Sequence, residues 1–213
     1  IYAGTKKGTI YQLEKGGILH PLLSAPPARY NDIVETKAIA STLDGGLWVS
    51  RQSIGLEYYD PSGGRLEPFS RYLENAVIQN DYTQNPLYSY FGQEQLHLFV
   101  KGLAWDEKSR QLAAARGQFP FLFRIREEGP PLLRILSPRR THAVAFGPDG
   151  AIWLGHSDGL AVYKNGNYHF FGDDPKLGRN NIWDLATCPQ GNIWIGTDGF
   201  GLFVFSQGKA TPI

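Results

Sequence analysis

A chain of 213 residues with 42% hydrophobic side chains is long enough to bury the core of one sizeable domain, and one domain is the expectation. Its 21 Lys and Arg against 20 Asp and Glu leave a net charge of +1, which excludes the kind of global field that holds nucleic acid or an anionic membrane. A lone Cys188 excludes an internal disulfide and a Cys-based zinc site, and fits the cytosol or a bacterial periplasm equally well.

Twenty-five Gly and 14 Pro suit many short strands joined by tight turns, so almost no helix is expected. The chain opens inside a strand, IYAGTKKGTIYQL (residues 1–13), and contains no Met, which predicts a piece of a longer polypeptide with any targeting segment outside it. A second unit centres on GGLWVSRQSIGLEYY (residues 45–59). Residues 71–97 then break the pattern, carrying Tyr72, Tyr82, Tyr88, Tyr90 and Phe91 among Asn and Gln. The third unit, RQLAAARGQFPFLFRI (residues 110–125), is degenerate: Ala113, Ala114 and Ala115 replace the aromatic strand, and Pro120, which cannot donate to a ladder, predicts an edge or bulge. The fourth and fifth units, GAIWLGHSDGLAVY (residues 150–163) and GNIWIGTDGFGLFVF (residues 191–205), are the clearest copies.

The anchor of each unit falls at Tyr2, Trp48, Ala113, Trp153 and Trp194, at spacings of 46, 65, 40 and 41, the long one marking the insertion. Around the fourth anchor the pattern parses into four strands separated by Pro148-Asp149-Gly150, Ser157-Asp158-Gly159 and Asn165-Gly166-Asn167, the residues that primed hairpin turns require. A four-stranded antiparallel sheet repeated every ~40 residues is the period of a propeller blade. The expectation is therefore an all-β chain forming a β-propeller or part of one. Its blade units lie at about 1–23, 33–70, 99–136, 141–171 and 181–213, with an insertion at about 71–97. Five units either close a compact ring or belong to a larger one. Trp48, Trp153 and Trp194 are expected to seal the joints between blades, since a blade alone cannot bury its face.

The succession of a strand, G-x-I-W-I/L-G-T/H and D-G-x-G-L-x-x-F, carried by residues 191–205 and 150–163 and more loosely by the copies at 45 and 1, resembles the two-component regulator propeller repeat. That resemblance implies the extracytoplasmic, periplasmic sensor part of a membrane-anchored hybrid histidine kinase, itself not an enzyme, tuned to a small molecule or oligosaccharide. The membrane helix, kinase and receiver are not in this sequence.

In a propeller, the loops between blades share one rim with the loops joining second and third strands, and a ligand is expected there. Arg29, Arg51, Arg116, Arg139, Arg140 and Arg179 fall in those loops, a set able to fork onto a carboxylate or sulfate; solvated surface arginines are the alternative. Tyr82, Tyr88 and Tyr90 in the insertion are candidates to stack on sugar faces, with a partner-docking or homodimer surface, or disorder, left open. Trp183 is an aromatic platform facing the channel, or packs on the neighbouring strand.

Catalytic and metal chemistry are not signalled. The five histidines lie in different units without metal spacing, His142 and His156 being the one candidate pair, and the Asp-Gly dipeptides lack the acids of a calcium loop, so no cofactor is expected. A propeller lyase or lactonase, or a protein-docking propeller, is the competing class. Convergence of three or more of His142, His156, Asp32, Asp174 and Asp198 on one cavity favours the enzyme; a rim of Arg and aromatics without them favours the sensor.

Overall fold

The protein is described by a computed structural model covering residues 1–25, 34–79, 81, 98 and 100–213. Five sheets follow one another along the chain. The first holds β1 (Tyr2–Gly4), β2 (Ile10–Leu13) and β3 (Leu19–Leu23). The second holds β4 (Thr36–Ser41), β5 (Leu47–Arg51), β6 (Gly55–Asp60) and β7 (Arg65–Pro68), and is followed by a single helical turn, α1 (Ser70–Leu73), and β8 (Val77–Gln79). The third holds β9 (Val100–Asp106), β10 (Gln111–Arg116), β11 (Phe121–Arg124) and β12 (Leu132–Ile135), with β8 added parallel to β12 as a fifth, outer strand. The fourth holds β13 (Thr141–Phe146), β14 (Ile152–His156), β15 (Gly159–Lys164) and β16 (Asn167–Phe170). The fifth holds β17 (Ile182–Thr187), β18 (Ile193–Thr197), β19 (Leu202–Ser206) and β20 (Lys209–Pro212). Apart from β8 every pairing is antiparallel, and the innermost strands β4, β9, β13 and β17 stand side by side, so the chain is a run of β-propeller blades.

The turns follow from composition. Asn165 and Gly166 both take positive φ (51° and 83°), the type I′ geometry that lets β15 and β16 pair through a two-residue loop.

Each blade buries its face against the next. Trp48 of β5 is fully buried, and its ring lies 4.6 to 6.2 Å from those of Tyr58, Phe69, Tyr72, Trp105 and Phe123, joining the second blade to the third. Trp153 of β14 packs on Phe205 of the fifth blade at 5.1 Å. The alanines that break the repeat in β10 have a packing reason. Ala114 faces the aromatic cluster around Trp48, while Ala113 and Ala115 face Val144, Ile152 and Leu154 of the fourth blade, so two bulky neighbours leave room only for methyl groups. Pro120 lies just before β11, where its carbonyl accepts from the Leu136 amide at 2.9 Å.

Two residues past each anchor stands a small side chain that receives the start of the next inner strand. A Cβ on Gly4 would come within 2.4 Å of Thr36 Cγ2, and one on Gly155 within 2.6 Å of Ile182 Cγ2. Ser50 donates its hydroxyl to the Val100 carbonyl at 2.7 Å. The fifth blade departs from the expectation for the Trp anchors: Trp194 is 38% exposed, and Gly196 meets only Asp184 of its own sheet at 3.7 Å. Among the described residues no sheet covers that face.

Candidate functional site

The inner strands share a local irregularity that places four side chains at one end of the blades. In β4 the ladder passes from Thr36↔Arg51 to Ala38↔Ser50, leaving Lys37 as an extra residue. Lys101, His142 and Trp183 are left over in the same way in β9, β13 and β17. A bulge re-aims the extra side chain and bends the strand, and its recurrence turns one residue per blade toward the shared mouth. The four do meet there. The rings of His142 and Trp183 lie 4.5 Å apart at 32°, and Lys101 Nζ stands 6.0 Å from the centre of the Trp183 indole.

Polar groups at this end are incompletely satisfied. Nη1 of Arg51, Nδ1 of His142, Oγ1 of Thr36 and Oδ1 of Asn181 are buried without a hydrogen-bond partner among the described residues, and all four belong to the bulges or their immediate neighbours. Each such group forgoes a hydrogen bond that water or a ligand would supply.

The charges here are positive and close together. Lys101 has its pKa lowered by burial first, then by Arg140 and Lys37. His142 is pushed down to about 4 by burial, then by Lys101 and Arg140, so its ring is neutral near pH 7. Lys37 is held by Glu35 at 2.7 Å. Neither Lys101 nor Arg140 has a carboxylate partner among the described residues.

The arginines singled out from the sequence divide by what they touch. Arg51 is 3% exposed and grips the buried Glu57 through Nε and Nη2 at 2.8 and 2.5 Å. Arg116 is also buried, and donates to the carbonyls of Leu98 and Gln118, both at 3.1 Å, which ties the start of β9 to the turn after β10. Arg139 lies 3.8 Å over the Phe170 ring and pairs with Asp158. Arg140 is exposed and reaches the Lys101–His142 group. Arg179 is exposed at a positive φ of 67°, its amide bonded to the Asp158 carbonyl. Trp183 is 50% exposed. Tyr82, Tyr88, Tyr90, Arg29 and Asp32 lie outside the described residues. Tyr72, which opens the run of aromatics in the insertion, packs against the core: it stacks on Phe69 at 6.1 Å and meets Trp48 edge-on at 5.6 Å, because α1 folds it back between the second and third blades.

Lys37 and Lys101 escaped the sequence reading. The signal that marks them is the run Thr36-Lys37-Ala38, Val100-Lys101-Gly102, Thr141-His142-Ala143 at equal places in the units, a β-branched residue, the bulge, then a small residue. The side chain in the middle varies too much for a repeat search to notice.

Among the described residues, the acid and histidine constellation of a catalytic propeller is not assembled. His142 shares a hydrogen bond with Ser157 at 3.1 Å; His156, pushed down to about 3 by burial and then Arg139, lies between Thr141 and Tyr168, both at 2.9 Å. Asp174 caps the amides of Lys176 and Leu177. No group of three or more His, Cys, Asp or Glu among the described residues is placed to hold a metal ion. No helix among them is long and apolar enough to cross a membrane.

Searches with protein-family models and against curated proteins found no match to this chain. Solved structures do match, and the resemblance in the repeats is met by the fold. The extracellular domain assigned to the hybrid two-component system BT4673 of B. thetaiotaomicron superposes with a TM-score of 0.64 at 20% identity over 95% of this chain. The chain spans about a quarter of that domain, 25% of its length. Virginiamycin B lyase from Staphylococcus aureus matches at TM-score 0.61 and 13% identity over 100% of this chain and 69% of the enzyme. A gluconolactonase from Xanthomonas campestris matches at 0.58 and 13% over 94% and 65%. These likenesses establish the propeller fold.

Proposed function

We propose that this chain is the ligand-recognition part of a two-component signalling receptor, a non-catalytic propeller that works outside the cytoplasm, in the periplasm of its host. The ligand is a small molecule or oligosaccharide bound at the channel mouth. The observation that carries the reading is the convergence of the bulge residues Lys37, Lys101, His142 and Trp183 beside four buried, unpartnered polar atoms. A half-exposed indole backed by a neutral imidazole offers a flat apolar face, and the polar atoms around it offer donors and acceptors; a saccharide presents the complement of both. The sequence repeats and the likeness to a two-component extracellular domain support the signalling context.

A catalytic propeller is the second reading, favoured by the lyase and lactonase folds. It requires an acid or base free to act at the mouth, whereas both candidate histidines there are held by hydroxyl groups.

The test is a titration of the protein with acidic and neutral oligosaccharides, followed by tryptophan emission. A saturable change that Trp183→Ala removes supports recognition at the mouth. No response across the panel, together with turnover of a lactone or a macrocyclic ester, replaces the sensor with an enzyme.

A further inference from the structure

A cavity of about 420 Å³ opens between the second and third blades, beside the bulges of β4 and β9. Leu98 and Val100 give it an apolar wall, and Lys37, Ser50, Arg51, Lys101 and the exposed Gln52 and Ser53 line the rest. Most of its polar atoms are already engaged. The Ser50 hydroxyl is spent on the Val100 carbonyl, and Lys37 is drawn to Glu35. Two donors remain. Arg51 is 97% buried by its 3% exposure, and two of its nitrogens are committed to Glu57 while Nη1 has no partner among the described residues. Lys101 makes no side-chain hydrogen bond or ion pair among them, and the charged groups that act on it, Arg140 and Lys37, are cations.

A buried guanidinium with one nitrogen unused is a costly arrangement, and so is an unpaired ammonium set beside other cations. A single anionic group repairs both faults at once. We infer that this cavity binds a carboxylate or sulfate group of the ligand, between Nη1 of Arg51 and the ammonium of Lys101, with the rest of the ligand reaching toward Trp183. Glu57 holds the Arg51 fork in place from behind, so the free nitrogen is pre-oriented and little entropy is lost on binding. The other buried arginine, Arg116, is committed to backbone carbonyls, and Arg139 to Asp158, so the anion site is narrower than the arginine-lined rim that the sequence suggested.

This inference rests on the recognition reading above, and the experiment separates the two. Sodium glucuronate, sodium sulfate and glucose are titrated into the protein at low salt, with calorimetry and tryptophan emission read together. Glucuronate and sulfate are expected to compete for one site that glucose does not occupy. Lys101→Gln weakens glucuronate by about tenfold or more, the worth of one charge-assisted hydrogen bond. Arg51→Lys keeps a cation for Glu57 but deletes Nη1 and part of the fork, so it weakens glucuronate several-fold and lowers the thermal unfolding midpoint, with affinity read at a temperature where the variant remains folded. Trp183→Ala leaves sulfate binding intact. Absence of saturable binding of either anion, or equal binding by Lys101→Gln, overturns the anion site. If glucose binds as well as glucuronate and only Trp183→Ala abolishes it, the anion site is overturned while recognition at the mouth stands. If the anions bind through Lys101 but no saccharide alters the emission of Trp183, the anion site stands and the saccharide reading falls.

Discussion

Trp48 and Trp194 occupy the same place in their repeats, yet the first is fully buried among five aromatic rings and the second is 38% exposed. The glycine sockets two residues past Trp153 and Trp194 divide in the same way: Gly155 is pressed against Ile182 of the next blade, while Gly196 meets nothing among the described residues beyond its own sheet. The anchors are alike in sequence and differ only in what lies across the joint. The energetic value of a blade's anchor is therefore supplied by its neighbour, as expected of a repeat array in which each unit buries its face on the next.

The largest effect that sharpens this comparison is Trp48→Ala. Losing an indole from a packed aromatic cluster is expected to cost about 3–5 kcal/mol. Trp194→Ala should change stability by about 0.5 kcal/mol or less, as exposed positions do. Urea denaturation of the two variants measures both, and equal losses would break the comparison. Gly155→Ala is next. Its new methyl group would have to displace Ile182 at a backbone-fixed distance, for a cost of about 1–3 kcal/mol. Gly196→Ala has space and no positive φ, and should be neutral or stabilising by about 0.4–1 kcal/mol through the unfolded chain. Thermal unfolding of the pair decides, with a loss at Gly196 similar to that at Gly155 contradicting the open face.

The smallest effect near neutrality is a pH dependence that the two histidines of the fourth blade contribute. His142 and His156 have folded pKa values of about 4 and about 3, below the ordinary 6.5, so the folded protein keeps both neutral while the unfolded chain takes up protons. Their contribution is fully present above pH 6.5. It is lost progressively as pH falls toward 4 and then 3. A His156→Gln variant should show a flatter stability profile between pH 6.5 and 3 than the parent, measured by denaturant midpoints at each pH; an unchanged slope would remove His156 from that account.

Much of the fold was legible because propeller chemistry is local. Asn165-Gly166 announces a primed turn by itself, and the Trp-x-Gly spacing repeats often enough to reveal the period. The candidate site was legible only in part. Trp183 stood out in the sequence by its place just inside the first strand of the last blade. Arg51 stood out as a loop cation, but its burial against Glu57 depends on where β6 places a carboxylate six residues later. Lys101 sits in a recurring run of a β-branched residue, a variable residue and a small residue, but the variable middle position hides it. Its exposure to the mouth comes from a slip in the pairing of β9 with β10, a property of two strands together.

The repeat, the hairpins and the small residues of the joints are written in the chain, since each depends on backbone preferences and on side-chain volume within a few residues. Only the tertiary structure decided which anchors are buried, that Tyr72 packs against the core, and that Lys101, His142, Trp183 and the free nitrogen of Arg51 lie together at one mouth. Burial and convergence are relations between blades 40 or more residues apart in sequence, where ladder register and charge proximity act through space and leave no local trace.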